Sequence, residues 1–587
     1  MIDHISHMVL DRVQNYKGRA VLKSFSEESN QLESISADEL IKTTKQVSRA
    51  LVSLGYGQNS KVGIFGNNKP EWTLADIGIL NIRAIVVPFY ATSNKEQLKY
   101  IVDETQMELM FVDDEGQLEK AISLLDKTAL KTIISFSEIK KKHQSVMTWT
   151  DFCQLGTQND ESKVDNLLKA ASSEDIASII YTSGTTGEPK GVMLSHLNFM
   201  TSFKINHERL DISESDSSLA FLPLSHIFER AWTFFLIYCG ASNTFLSNPR
   251  KVIEALPIVN PTVMCVVPRF FEKTYDGIYE EYLRWSPTKQ KIFDWSIAIG
   301  HKTIGPKKAA FPLSLQHKIA KKLVLNKLNS IFGSQLRMTP CAGAAIRPEL
   351  LNFFHAIGLF VNYGYGATET TATVACMRSD KYDLNTCGSV MPETKVEISE
   401  NDEIIITGDT IFKGYYRKPE ETAKVLQGKT FKSGDQGYIN EDNYFIMTDR
   451  IKDMMKTSGG KYISPQKLEL LIGTNKFVEQ IVVIGDNRKF VSALIIPAYE
   501  TLKSKEKELD IVGKNGKEIA ESPRVYEFYK ELINQEQKGL DGYEQIKNFI
   551  IMPEAFSIEN NALTNTLKIK RKQVTQQYHK LIDSMYQ

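Results

Sequence analysis

From residue 61 to about 113 the chain alternates between two hydrophobic periods, and this restricts its fold more than any other feature. "KVGIF" (61–65), "AIVVPFY" (84–90) and "MELMFVDD" (107–114) are short runs rich in Val, Ile and Phe. Between them, "PEWTLADIGILNIR" (70–83) and "SNKEQLKYIVDET" (93–105) read as helices. Apolar strands separated by helices predict a parallel sheet covered by helices. "IASIIYTS" and "PTVMCVVP" repeat the strand texture further on. Ligands of such sheets bind beyond the carboxyl ends of the strands.

The texture changes near residue 393. "TKVEISENDEIIITGDTIFKGYY" and "YINEDNYFIMTD" predict short alternating strands, a β-rich module. After Asp449, "RIKDMMKTSGGKYISPQKLE" reads as a turn with two glycines and a helix start, and "FVEQIVVIGD" and "FVSALIIPA" as strands. The expected fold class is α/β. A large N-terminal region of several subdomains (1–449) has parallel-rich sheets and the β-rich module. A small α+β domain (450–587) follows, which the resemblance described below implies is mobile. "KSKEKELDIVGKNGKE" (503–518) reads as an exposed, charged insertion.

A chain of 587 residues exceeds one core and suggests roughly three or four units of ~150 residues. An apolar content of 42% with 24% charge is that of a soluble globular protein. The formal net charge is zero, so composition predicts no nucleic-acid partner. The six cysteines form no C-x-x-C pair, which argues against a zinc ribbon or a thioredoxin-type site. They read as buried free thiols in a reducing compartment. "MIDHISHMVLDRVQNYKG" lacks the apolar core of a signal peptide. The longest apolar run, "WTFFLIYCGA" (232–241), is about half of a ~20-residue span. The expectation is a cytoplasmic protein, with peripheral membrane contact left open.

The segment "YTSGTTGEPKG" (181–191) has the chemistry of a phosphate loop without the G-x-x-x-x-G-K-[ST] pattern. Gly184, Gly187 and Gly191 let backbone N–H groups approach an anion. Thr182, Ser183, Thr185 and Thr186 add hydroxyls, and Lys190 adds a charge. A flexible polar loop is the alternative reading.

Four further segments follow in order: "NYGYGATET" (362–370), "FKSGDQGYI" (431–439), "TDRIKDMMKTSGGKYISPQKLE" (448–469) and "LTNTLKIKRK" (563–572). Asp435 of the second reads as lying in a tight turn after a strand. Together with the loop, these segments resemble the adenylate-forming superfamily of acyl-CoA synthetases, luciferases and peptide-synthetase adenylation domains. The resemblance runs from about residue 40 to 575.

It implies ATP, Mg²⁺ and coenzyme A as cofactors. It also implies an acyl-adenylate formed by positioning and electrostatics rather than by a covalent nucleophile. The loop would hold the phosphates that leave as pyrophosphate. Tyr365, followed by Gly366, would stack on adenine beside Gly343, Ala344 and Ala345. Thr368 would touch phosphate and Glu369 would hold Mg²⁺. Asp435 and Arg450 would bind ribose. Lys568 would act in adenylation, with Arg571 at the other matching position. Asn565 stands where the family usually has Pro. Lys452 would be the hinge that swaps Lys568 for the Gly459–Gly460 turn. No G-x-S-x-G or H-E-x-x-H pattern occurs, as this chemistry leads one to expect.

His226 in "FLPLSHIFERAWTFF" matches a histidine near the acyl carbonyl and thiol entrance, against the alternative of a packed core histidine. "SHIFERA", "VPRFFEKTY" and the helical insert from about 276 to 335 look most like long-chain fatty acyl-CoA synthetases. Trp232, Phe234 and Phe235 line an acyl tunnel or belong to the core. In "HKIAKKLVLNKLNSIFG" (317–333), Ile319, Leu323, Leu328, Ile331 and Phe332 share a face and are expected to pack against the sheet; the alternative is a basic helix on a membrane. The expected activity is a long-chain fatty acid–CoA ligase. An acyl–acyl carrier protein synthetase and a non-catalytic nucleotide-binding relative are the alternatives. A homodimer stays open.

Overall fold

The computed structural model describes residues 3–16, 18–139, 143–157, 161–182, 188–305, 309–451, 454–564 and 568–587. The predicted alternation forms strands Lys61–Phe65, Ile85–Phe89 and Leu109–Val112 with helices Pro70–Leu80 and Lys95–Thr105 between them. They belong to a seven-stranded sheet. Its order is Val146–Thr148, Thr132–Ser135, Leu109–Val112, Lys61–Phe65, Ile85–Phe89, Ile176–Thr182, Lys190–Ser195. The pairings are parallel up to Ile176–Thr182. Lys190–Ser195 closes that edge antiparallel.

A second sheet pairs Ser217–Ala220 and Ala20–Ser26 with Ser242–Phe245 in parallel. In a third, Met338–Cys341 runs parallel to Phe360–Tyr365. Helix Ile227–Cys239 is buried almost all round, as its apolar sequence requires. It ends at Gly240, whose φ of +79° suits glycine, and an added Cβ there would lie 2.3 Å from the Tyr16 ring.

Arg230 ties this helix to its surroundings. Its guanidinium donates to both oxygens of Asp76 at 2.7 Å and to the Ser178 hydroxyl at 2.6 Å, all three groups being buried. Helix Pro70–Leu80, strand Ile176–Thr182 and helix Ile227–Cys239 are thereby fixed to one another. Removing one partner of such a buried pair costs about 3–5 kcal/mol.

The β-rich module forms as expected: Glu403–Thr407 lies between Lys395–Ile398 and Thr430–Ile439, and Phe445–Arg450 pairs with the latter. Asp435 does not sit in a turn after a strand. It lies within Thr430–Ile439, opposite Arg450, because the Ser-Gly-Asp stretch bulges against Glu403–Thr407 without ending the strand. C-terminal strands Val478–Ile484, Val491–Pro497 and Ile546–Ile551 form a separate sheet with its own apolar core. The 503–518 segment is not wholly an exposed insertion, since Leu509 and Ile511 are buried in that core.

The six cysteines are free, and all but Cys153 are buried. The insert is helical, with Pro268–Leu283, Pro287–Lys302 and Leu313–Ala320 as its main helices. Its expected apolar face divides, however. Leu328 and Phe332 are buried, whereas Ile319 and Leu323 are exposed. A π-helical turn at Lys321–Leu325 explains the split by rotating the face between the two halves. Among the described residues no helix is long and apolar enough to cross a membrane.

Candidate adenylation site

Strand Phe360–Tyr365 carries Tyr365 toward Asp435. The Tyr365 hydroxyl donates to Asp435 Oδ2 at 2.6 Å, and Arg450 Nε donates to Asp435 Oδ1 at 2.9 Å. The register that sets Asp435 opposite Arg450 makes this pair local, although 15 residues separate them. Burial, with the Asp435 carboxylate second, raises the Tyr365 phenol well above its usual range. Tyr365 therefore remains a donor at neutral pH. Its ring leans on Phe445, centroids 5.0 Å apart. The three residues expected at adenine and ribose are thus one hydrogen-bonded group.

Gly366 is required by close packing: a Cβ there would lie 1.5 Å from the Ala372 carbonyl oxygen. Gly343, Ala344 and Ala345 are exposed, and the Ala344 carbonyl accepts from the Tyr363 hydroxyl at 3.2 Å. Thr368 and Glu369 begin a 3₁₀ turn that follows. Thr368 is buried, and Glu369 Oε1 accepts from the Tyr415 hydroxyl at 2.9 Å. Among the described residues no cluster of three or more His, Cys, Asp or Glu could hold a metal. A partly exposed carboxylate without a protein cage fits Mg²⁺, which usually takes one or two carboxylates and completes its shell with water and phosphate oxygens.

Ser183, Gly184, Thr185, Thr186 and Gly187 fall outside the described residues, as does Lys452. Thr182 and Lys190 are opposite each other in the antiparallel pair that frames the loop. Lys190 Nζ donates to Glu421 Oε2 at 2.6 Å and lies 4.9 Å from the centre of the Tyr415 ring. The hydrogen bond from Lys190, with Lys424 second, holds the Glu421 carboxyl down to about 2. Tyr415 thus connects Lys190 to Glu369. Sequence reasoning missed Tyr415 and Glu421; the only signal was an aromatic and acidic cluster in "KGYYRKPEE".

His226 caps helix Ile227–Cys239, its Nδ1 accepting from the Phe228 N–H at 3.2 Å. Burial, with the nearby Lys568 ammonium second, lowers its pKa to about 4, so the ring is neutral at pH 7. Lys568 belongs to the C-terminal sheet's chain segment, yet it acts electrostatically on this N-terminal histidine. Two hydrogen bonds shape its turn: Thr564 N–H donates to the Lys568 carbonyl at 2.7 Å, and Lys568 N–H to the Thr564 side-chain hydroxyl at 3.0 Å. Arg571 is forked on Glu469 at 2.5 and 2.8 Å. Gly459 and Gly460 form an exposed turn, Gly460 at a φ of +79°. They join neither the Tyr365–Asp435 group nor His226 through any hydrogen bond.

A mostly apolar cavity lies beside the adenine-side residues. Phe203, Phe228, Trp232 and Phe235 line it together with Cys341 and Tyr365. Of the three aromatic tunnel candidates, Phe234 is core, packed on Phe203 with centroids 6.5 Å apart. Trp232 lines the cavity while its indole N–H donates to Ser218 at 3.0 Å.

The model of the AMP-binding enzyme family matches residues 10–416, more than half of the chain. This chain is an AMP-binding enzyme. The C-terminal domain model of the same enzymes matches residues 452–587. A long-chain-fatty-acid–CoA ligase of Mycobacterium bovis is 28% identical over 563 residues, covering 94% of this chain and 92% of the relative. Long chain acyl-CoA synthetase 1 of Arabidopsis thaliana is 30% identical over 583 residues, covering 93% and 87%. Among solved structures, the adenylation domain of a carboxylate reductase from Mycobacterium chelonae superposes with a TM-score of 0.77 at 19% identity, covering 99% of this chain and 91% of that one. The AMP-binding fold therefore extends over the whole chain.

Proposed function

We propose that this AMP-binding enzyme activates a long-chain fatty acid with ATP and transfers the acyl group to coenzyme A. The observation that carries the reading is the apolar cavity that Tyr365 helps to line, the Tyr365 hydroxyl being bound to Asp435. An apolar acid and a nucleoside would share that wall. The relatives named as long-chain ligases and synthetases support the same substrate class.

In the first half-reaction a carboxylate oxygen bonds to the α-phosphorus, and the α-phosphorus–oxygen bond to pyrophosphate breaks. In the second, the coenzyme A sulfur bonds to the acyl carbon, AMP leaves and the thiol proton passes to solvent. Asp435 accepts the ribose hydroxyls, Tyr365 stacks on the base, and Arg450 holds Asp435 in place. Lys568 neutralises charge that develops at the acyl-phosphate oxygens, where preorganised charge is worth most. Neutral His226 orients the carboxylate. Mg²⁺, held by Glu369 with Thr368 beside it, would neutralise the departing pyrophosphate, and residues 182–187 with Lys190 would grip it.

The separate family matches to residues 10–416 and 452–587 support a C-terminal unit, taken as residues 450–587, that turns on Lys452. One pose uses Lys568 and the other brings Gly459–Gly460 to the thiol. A single site can then serve two half-reactions with different demands. The acceptor is tested by supplying palmitate and ATP with coenzyme A or with a phosphopantetheinylated acyl carrier protein. The reading expects palmitoyl-CoA; transfer to the carrier protein alone would replace it with a carrier-protein synthetase.

A further inference from the structure

The helical insert leaves an apolar surface uncovered. Of the large apolar side chains that are well exposed among the described residues, seven lie between 283 and 323 and ten in the rest of the chain. Leu315, Ile319 and Leu323 are spaced four apart along helix Leu313–Ala320 and the turn after it, each about half exposed. Ala320, Leu325 and Leu328 of the same stretch are buried. Phe311, just before the helix, is 81% exposed. Helix Pro287–Lys302 packs against this element and exposes Ile292 and Trp295.

Charge makes the surface more specific. The whole chain balances 71 basic against 71 acidic residues. Between Asp294 and Glu349, however, the sequence contains seven lysines and two arginines and no acidic residue. Lys318 and Lys322 are exposed beside the Leu315–Ile319–Leu323 stripe, at helical spacing from it. A helix that only faced water would gain from mixed charges, and one that met a second copy of itself would set lysine against lysine.

We propose that this face of the insert docks on an anionic lipid bilayer. The aliphatic stripe enters the boundary between headgroups and acyl chains, and the flanking ammonium groups meet lipid phosphates. A nucleic acid offers the phosphates without a place for Leu315, Ile319 and Leu323. The docking deepens the fatty-acid reading, since it sets the enzyme where such acids partition, but it rests on the exposed stripe and its charge alone.

The test is flotation of the full chain with two kinds of vesicle, one of phosphatidylcholine and one with about a third phosphatidylglycerol. The protein should bind the anionic vesicles far better, and salt should weaken that binding. Each lysine lost near an anionic surface lowers affinity roughly fivefold, so Lys318→Gln with Lys322→Gln should lower it roughly 25-fold. Leu315→Ser with Ile319→Ser should release the protein at equal charge. Palmitate-dependent pyrophosphate release, measured without vesicles, should be unchanged in all variants. Equal binding to both vesicles, variants that bind like the parent, or self-association through this face without vesicle binding would each overturn the proposal. Vesicle binding that the variants lose, in a protein that releases no pyrophosphate with palmitate, would uphold the docking and reject the fatty-acid reading.

Discussion

Tyr365 donates its phenolic proton to Asp435 at 2.6 Å, joining the strand Phe360–Tyr365 to the β-rich module. A hydrogen bond to a charged group contributes about 1.5–3 kcal/mol. The proposed bonds from ribose to this carboxylate are of the same kind, so Asp435→Asn should raise the Kd for ATP roughly 10- to 150-fold, measured by equilibrium binding, and should also lower the thermal midpoint, because Tyr365 and Arg450 lose a charged partner. Wild-type ATP affinity in this variant would remove Asp435 from the nucleotide site.

Tyr415 bears on metal use. Its hydroxyl is 2.9 Å from Glu369 Oε1, and its ring lies beneath Lys190. Tyr415→Phe keeps the ring and frees the carboxylate. The rate of adenylation against Mg²⁺ concentration should shift by a fewfold for Tyr415→Phe and much more for Glu369→Gln. Identical Mg²⁺ curves for Glu369→Gln and the parent would reject Glu369 as the metal ligand.

Lys568→Ala should lower adenylation by on the order of 10²–10³ while ATP still binds. Supplied with preformed acyl-adenylate, the variant should still make acyl-CoA, because the second half-reaction uses another pose. Lys570→Ala, whose Nζ is engaged with Asn561 at 2.5 Å, should leave adenylation within a fewfold of the parent. Equal losses in both variants would mean a general charge effect.

The cavity predicts a change of chain preference. Ala231 lies between Phe228 and Trp232 on the cavity wall and is buried. Ala231→Phe should depress kcat/KM for palmitate more than for octanoate and leave ATP affinity intact. Overpacking should cost about 1–3 kcal/mol, read as a lower urea midpoint. Equal loss with both acids would argue that the cavity does not hold the acyl chain.

Acid should destabilise the fold through its buried histidines. Burial lowers His226 and His355 to about 4, His4 to about 3, and His196 well below its usual value. The unfolded chain takes up these protons near pH 6.5, so their contribution is complete above that pH and is lost as pH falls toward 4. Each histidine adds up to about 1.4 kcal/mol per pH unit in that window. Glu229, whose carboxyl burial raises, has the opposite sign and offsets one of the four. The urea midpoint should fall clearly between pH 7 and 5. A flat profile would show that these rings are solvated.

Much of this is legible in the sequence. The strands around Gly63, Val87 and Met110 are buried on both faces, so their sequence is continuously apolar and easily read. The sequence marks Asp435 as a site residue but suggests a turn, because Ser433 and Gly434 look like turn residues; pairings on both sides, with Glu403–Thr407 and with Arg450, keep the stretch in a strand. Tyr415 was invisible for a different reason. Its partner Glu369 is 46 residues away, and nothing local encodes that meeting. The exposure of Ile319 and Leu323 depends on one π-helical turn, which regular helical spacing cannot anticipate.

The most direct test of the central claim is pyrophosphate release with ATP and Mg²⁺ across acetate, octanoate, palmitate and oleate, with and without coenzyme A. The account predicts strong release with palmitate or oleate, little with acetate, and acyl-CoA only when coenzyme A is present. No release with any of these acids would contradict it.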